Sequence, residues 1–266
     1  MGPFVDAAHP LIATGDVDAT PAQIFKAQIS SRLAVLLQRS PRTSVILIPH
    51  GRDLISVHTA YPQAPLPKEE LQQQMGLPKA VKLLPNPTVF SINEVVFAVT
   101  SVDTLFHLRN QEWFKRCAEA VDPSQPAVDP ATVEKEDVMA RTARFLLRQK
   151  SFYPLFPAPI ASKIIDPPLL DVTHNDLARM GAAGADVVIA PSMIKSFAKL
   201  VDSTVILNPS FLVRGSLPGT YARMVVHPLE RGELERRVEE GEEGGEADEP
   251  IEHRVWERCR VEVVKV

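Results

Sequence analysis

The side chains best placed by type to do chemistry fall in short polar stretches that each follow an apolar run. Asp6 and His9 follow "GPFV", His50, Arg52 and Asp53 follow "SVILIP", Ser192 follows "ADVVIAP", and Asn208 follows "STVIL". Carboxylates, imidazoles and amides gathered at the carboxyl ends of buried strands are the usual means by which an α/β sheet collects a metal ion or an anionic ligand. A centre that activates water and clamps a phosphate is the chemistry to test first.

A dinuclear phosphoesterase needs hard donors converging from several strands, in the order GDxxD, GNHD and GHxH. At the matching places this chain has "GPFVD" (2–6), "HGRD" (50–53) and "APSM" (190–193). Pro3 stands where a bridging carboxylate belongs, Gly51 and Arg52 where Asn and His belong, and Pro191 and Met193 where the last two imidazoles belong. Proline and methionine do not hold such metals, and arginine repels them. Asp6 and Asp53 remain, and two isolated carboxylates read as loop caps or ion-pair members. His58, His107, His174, His227 and His253 show neither HxH nor HExxH spacing and read as surface or satisfied core residues. "GAAGAD" (181–186) precedes a strand rather than following one, so it is no dinucleotide loop, and there is no GxSxG elbow. No catalytic, cofactor-binding or metal-binding residue is assigned.

The elements that must position these residues are legible in outline. Thr20 and Pro21 open a helix over 21–39 whose Ile29, Leu33, Leu36 and Leu37 share a face. Residues 44–54 form a buried parallel strand and its polar loop. Val89–Ile92 and Val95–Val99 read as strands joined at Asn93–Glu94, followed by a short helix from Val102. Residues 121–130 have loop composition, and residues 133–150 are helical. "ADVVIAPS" and "STVILNPS" are two strands separated by a helix-length piece carrying Ile194, Phe197, Ala198 and Val201. "GTYARMVVHP" and "HRVWERCRVEVVKV" close the chain as an antiparallel pair.

With 266 residues, 45% of them hydrophobic, the chain has enough material for a sizeable core. No apolar run approaches the roughly 18–20 residues needed to cross a bilayer, so no membrane association is expected. Cys117 and Cys259 lie too far apart in sequence, and without CxxC partners, to suggest a zinc site or a disulfide framework, and read as buried thiols. Ten Asp/Glu against three Arg put −7 of charge in residues 230–249; taking that from the net −4 leaves +3 elsewhere. That excess is too small for an autonomous nucleic-acid binder, and aromatic residues are few. The acidic run itself reads as a disordered loop insertion.

These decayed motifs, together with "YPQAP" (61–65), "LLPNPTVFSINEVVFAVTSVDTLFHL" (83–108), "YPLFP" (153–157), "ADVVIAPSMIKSFAKLV" (185–201) and "NPSFLVRGSLPGTYAR" (208–223), resemble the B-subunit family of the DNA polymerase alpha–primase complex. The resemblance covers nearly the whole chain. It implies an α/β fold, a two-sheet layered calcineurin-like phosphoesterase sandwich with flanking helices, over residues 1–266. It also implies a non-catalytic nuclear accessory subunit without cofactors, whose partners are the C-terminal domain of the polymerase alpha catalytic subunit, the primase subunits through the complex, and DNA indirectly. Family members carry, ahead of "GPF", a helical module, a linker, an oligonucleotide-binding fold and the first strand of the phosphoesterase domain. A chain truncated at its N-terminus, lacking that strand and poorly soluble alone, is therefore expected. The alternatives are an active metal-dependent phosphoesterase or nuclease, or the B subunit of another replicative polymerase. Tyr61, Phe152 and Tyr153, near the proline-rich loop, are the first candidates for a partner surface, with packing onto their own domain as the competing reading.

Overall fold

In the computed structural model, which describes residues 1–113, 137–161, 166–181, 184–214, 217–228 and 254–266, a helical turn α1 (Pro10–Ala13) precedes α2 (Pro21–Phe25). Thr20 and Gln23 start α2 as a reciprocal pair. The Gln23 N–H donates to Thr20 Oγ1 (3.3 Å), the Thr20 N–H donates to Gln23 Oε1 (2.9 Å), and Pro21 supplies a preset φ at the first helical position. A π-helical turn over Lys26–Ser30 joins α2 to α3 (Ser31–Arg39), so the expected helix over 21–39 is present with one wider turn inside it. Phe25, Ile29, Leu33 and Leu37 pack on Val5, Leu47, Leu71 and Val81, whereas Leu36 stands at the edge of the stripe and is exposed.

The strand expected in residues 44–54 is β1 (Ile46–Leu47), which pairs in parallel with β3 (Lys82–Leu83). β2 (Ala60–Tyr61) pairs in parallel with β6 (Leu169–Leu170), and α4 (Lys68–Gln73) lies between β2 and β3 in the chain. β4 (Thr88–Ile92) and β5 (Val95–Val99) form the expected hairpin, turned by Asn93 and Glu94 at φ 49° and 67°. Two successive positive φ values give the turn whose twist matches that of the flanking strands.

β4 and β5 begin a five-stranded sheet with β7 (Val187–Ile189), β9 (Thr204–Asn208) and β8 (Phe197–Val201), in the order β4-β5-β7-β9-β8. β5, β7 and β9 run parallel, and the two outer strands run antiparallel to their neighbours. One face carries Ala98, Val188 and Ile206, packed beneath α5 (Thr104–Gln111) and α6 (Val138–Gln149) through Leu105, Leu108, Ala143 and Leu146. The opposite face carries Phe97, Val187, Ile189 and Val205 against a ribbon of β12 (Thr220–Val226) and β13 (Cys259–Lys265), with α7 (Val255–Arg258) leading into it. A minor antiparallel pair, β10 (Val213–Arg214) with β11 (Leu217–Pro218), precedes the ribbon. Helices, central sheet and ribbon thus make a mixed α/β layering in which side chains alternate between two buried faces.

One expected element is corrected. The piece carrying Ile194, Phe197, Ala198 and Val201 is not a helix: residues 197–201 are edge strand β8. Apolar residues at these positions satisfy helical spacing, but Asp202 and Ser203 at φ 47° and 64° turn the chain straight into β9, whose open edge takes β8's backbone groups. The polypeptide therefore passes from β7 around to the sheet edge and returns between them as β9. The expected loops at 121–130 and 230–249, Cys117, His253 and the start of the helix expected over 133–150 lie outside the described residues. No helix among the described residues is long and apolar enough to cross a membrane.

Candidate functional site

A groove of about 1640 Å³ runs between the N-terminal segment and the ribbon side of the central sheet. Its polar end is bordered by Asp6, His50, Arg52, Asn86, Asp103 and Asp166. The strand-end residues form two groups, the first at this end of the groove and the second, with Ser192 and Asn208, fully buried outside its lining, and each is held by backbone as much as by side chains.

The first group joins residues 1–8 to the loop after β1. Asp6 and Asp53 face each other across an antiparallel bridge, with the Ala7 N–H donating to the Arg52 carbonyl (3.0 Å) and the Leu54 N–H to the Val5 carbonyl (3.0 Å). Asp53 is buried, and both its oxygens are engaged: the Phe4 N–H donates to Oδ2 at 2.9 Å and the Val5 N–H to Oδ1 at 3.0 Å. Asp6 takes the Ala8 N–H on Oδ1 (3.0 Å) and Arg52 Nη2 on Oδ2 (3.3 Å). The other end of the same guanidinium, Nη1, approaches Asp166 Oδ2 at 3.5 Å. His50 Nδ1 accepts the Arg52 N–H (3.1 Å), and His9, half-buried at the groove, accepts the first helical N–H groups of α1 on its carbonyl.

Burial dominates the electrostatics here. It pushes Asp53 up to about 6, against the pull of the Val5 and Phe4 N–H groups and with a further push from Asp6. Burial, reinforced by the Arg52 charge, lowers His50 to about 4, while Asp6 and Asp166 oppose the shift. A neutral His50 beside a fixed guanidinium is an acceptor, and the Arg52 N–H uses it as one.

The second group joins β7, β9 and α5. Asn208 is fully buried. Its Oδ1 accepts the N–H groups of Ser192 and Ser210, both at 2.8 Å, and its Nδ2 donates to the carbonyls of Ile194 (3.4 Å) and Lys195 (3.3 Å). Asp103 caps α5 by accepting the Phe106 N–H (3.1 Å) and takes the Met193 N–H at 2.7 Å; burial raises it, against hydrogen bonds from Ser192, Met193 and Phe106. Asp103, Asn86, Gln63 and Asp166 are members of the polar end that the strand-end pattern misses. Asp103 carries a usable sign, an acidic residue one position ahead of the helix start. Asn86 holds the Ser101 N–H (2.9 Å) from a loop 15 residues away, which no local pattern announces.

Tyr61, Phe152 and Tyr153 do not form an outer surface: they are 3%, 1% and 5% exposed. The Tyr61 and Tyr153 rings meet edge to face at 6.0 Å, Tyr153 Oη lies 3.0 Å from Nδ1 of buried His107, and Tyr61 Oη lies 3.5 Å from Thr100 Oγ1. The loop is folded onto its own domain because each phenol finds a buried polar partner. His58, His174 and His227 are exposed, His174 paired with Asp171 at 2.6 Å, and Cys259 is half-buried and free.

The donor set does not suit a pair of divalent cations. Both Asp53 oxygens are taken by N–H groups, Asp6 is shared between Ala8 and Arg52, and Pro3, Pro191 and Met193 bring no hard donor. Among the described residues no three His, Cys, Asp or Glu side chains converge on a common point.

Residues 1–199 match the DNA polymerase alpha/epsilon B-subunit family. Over 265 residues the chain is 34% identical to the DNA polymerase alpha B subunit of Schizosaccharomyces pombe, covering all of this chain and 40% of that protein. It is 31% identical to the protein of the same name from Saccharomyces cerevisiae, over 99% of this chain and 39% of that one, and 29% identical to the mouse protein, over 84% and 33%. The chain thus spans about two fifths of the length of its two yeast relatives.

Proposed function

Because the chain belongs to the DNA polymerase alpha/epsilon B-subunit family, we propose that it forms the phosphoesterase-like part of a non-catalytic accessory subunit of the polymerase alpha–primase complex. In this reading residues 1–266 make one inactive calcineurin-like domain, with 230–249 as an acidic loop insertion. The domain scaffolds the C-terminal domain of the catalytic subunit in the nucleus, meets primase through the assembly, and meets DNA only indirectly.

The observation that supports it most is the fate of the carboxylates at the strand ends. An active centre leaves its acidic groups free to bind cations. Here Asp53 ties the N-terminal segment to the loop after β1, and Arg52 places an internal cation between Asp6 and Asp166. A guanidinium so placed holds three segments together and repels a divalent ion.

The chain, co-expressed with the C-terminal domain of a polymerase alpha catalytic subunit, is expected to hold that domain through affinity capture and gel filtration. A chain that is folded by circular dichroism yet leaves the domain in the flow-through overturns the reading.

The competing phosphoesterase reading makes the opposite prediction about metal. With manganese and a chromogenic phosphodiester, turnover is expected to stay at the rate of the metal alone, and to be unchanged in Asp6→Ala. Manganese-dependent turnover that disappears in Asp6→Ala would establish an enzyme.

A further inference from the structure

The central sheet ends on β8, and that edge is open. The Val205 N–H donates to the Asp186 carbonyl (2.9 Å) and the Leu207 carbonyl accepts the Ala190 N–H (3.0 Å), so the backbone groups of Val205 and Leu207 face β7. Thr204, Ile206 and Asn208 therefore face β8, where the register sets them against Val201, Lys199 and Phe197. The backbone groups of Ala198 and Leu200 are left pointing outward, and no described residue pairs with them. Both residues are exposed, Leu200 to 55%.

The two faces of this edge differ in chemistry. Lys199 shares a face with Phe197 and Val201, which belong to the core beneath α6. Its ammonium meets the Asp137 carboxylate at the start of α6, Arg144 Nε donates to Asp202 Oδ1 (3.1 Å) at the end of β8, and Lys195 is exposed two residues ahead of the strand. Three cations against two carboxylates leave this margin basic. An ammonium carries three N–H donors, so Lys199 has the means to hold a second carboxylate beside Asp137. The other face is apolar, with Ala198 and Leu200 beside Leu207 and Val205 on the side of the ribbon.

We propose that β8 accepts an extended segment of a partner protein as one more strand of the central sheet, a segment that is acidic on its α6 side and apolar on its ribbon side. A strand bonded antiparallel to Ala198 and Leu200 lays apolar side chains next to theirs. It sets a Glu or Asp opposite Lys199, in the non-bonded pair where cross-strand side chains come closest. A second copy of this chain does not suit the edge. Two β8 strands joined through both open residues would place Lys199 directly opposite Lys199, and like charges so placed destabilise the pair. The lysine thus keeps the edge from pairing with itself while admitting a carboxylate. This surface lies on the sheet itself and does not depend on the accessory-subunit reading.

The test is hydrogen exchange on the full chain with two short synthetic peptides, one alternating Val with Glu and the other Val with Lys. An excess of the Val/Glu peptide is expected to slow exchange at the Ala198 and Leu200 amides by at least ~tenfold. Exchange at Val89 and Ser91, the outward residues of the opposite edge β4, is expected not to change, and the Val/Lys peptide is expected to protect neither edge. Lys199→Glu should reverse the preference, so that the Val/Lys peptide protects β8 and the Val/Glu peptide does not. Leu200→Pro removes an outward N–H and none from the ladder with β9, and should abolish protection at Ala198 in a chain whose circular dichroism is unchanged. Unchanged exchange at Ala198 and Leu200 with either peptide overturns the proposal, and so does equal protection by both. Protection of these amides without peptide, in a chain that elutes as a dimer, also overturns it, since a second copy would then hold the edge.

Discussion

Replacing Asn208 with alanine is expected to destabilise the fold by about 4 kcal/mol, read as a shift of the urea midpoint at constant slope. The side chain is fully buried and makes four hydrogen bonds, two as acceptor from Ser192 and Ser210 and two as donor to Ile194 and Lys195. Truncation leaves two N–H groups without their partner, at roughly 1–3 kcal/mol each, and opens a cavity besides. The loops after β7 and β9 are held together through this one amide. Asn208→Asp keeps an acceptor for the two N–H groups but turns its second oxygen toward two carbonyls, so it should fall between wild type and alanine at acid pH and approach alanine at neutral pH. A loss below about 1 kcal/mol for Asn208→Ala would show that water or loop movement replaces the amide.

Asp53→Ala is expected to cost about 3 kcal/mol at pH 7, since it frees the half-buried Phe4 and buried Val5 N–H groups and releases the N-terminal segment from the loop after β1. The pH dependence is the more telling result. Asp53, raised from 3.8 to about 6 in the folded protein, holds its proton more tightly folded than unfolded, so its contribution falls as pH rises between about 4 and 6. His50, lowered from 6.5 to about 4, is kept neutral by the fold, so its contribution is full above pH 6.5 and is lost as pH falls toward 4. The two slopes oppose each other across nearly the same window, and for these two groups the wild-type profile is close to flat. Asp53→Asn removes one slope and should leave a protein that loses about 2–3 kcal/mol on acidification from pH 6.5 to 4. His50→Gln removes the other and should leave one that gains a similar amount over that range. Thermal melts at half-unit pH intervals separate the two; parallel profiles for all three proteins would refute the assignment.

Both experiments probe residues that carry functional groups of catalytic type in structural roles. In this fold the carboxylate of Asp53 and the amide of Asn208 are aimed at backbone N–H groups of neighbouring loops, and the Arg52 guanidinium stands in the polar corner between two carboxylates. Polar groups spent in this way are among the observations that support the proposed scaffold reading.

Features with short-range causes were legible in the sequence. Thr20 and Pro21 stand together at the start of a helical pattern, the Asn93–Glu94 turn lies between two β-branched runs, and the ribbon strands alternate. Each is decided by neighbours in the chain, so composition and spacing suffice. The same holds for the substituted ligand positions Pro3, Pro191 and Met193, whose side chains cannot hold such metals whatever the fold. Features decided by distant partners were not legible. Residues 197–201 satisfy helix and strand spacing alike, and the free edge of β9 selected the strand. Tyr61 and Tyr153 look exposed beside prolines until His107 and Thr100 arrive from other elements to receive their hydroxyls. The pairing of Arg52 with Asp166 joins residues 114 positions apart in the chain. The sequence by itself determined the start of α2, the β4–β5 hairpin, the closing ribbon and the side-chain chemistry at positions 3, 191 and 193, because those follow from local geometry and composition. Only the tertiary structure decided what the remaining polar groups do, because a buried carboxylate or amide takes its role from whichever backbone the fold brings within hydrogen-bonding distance.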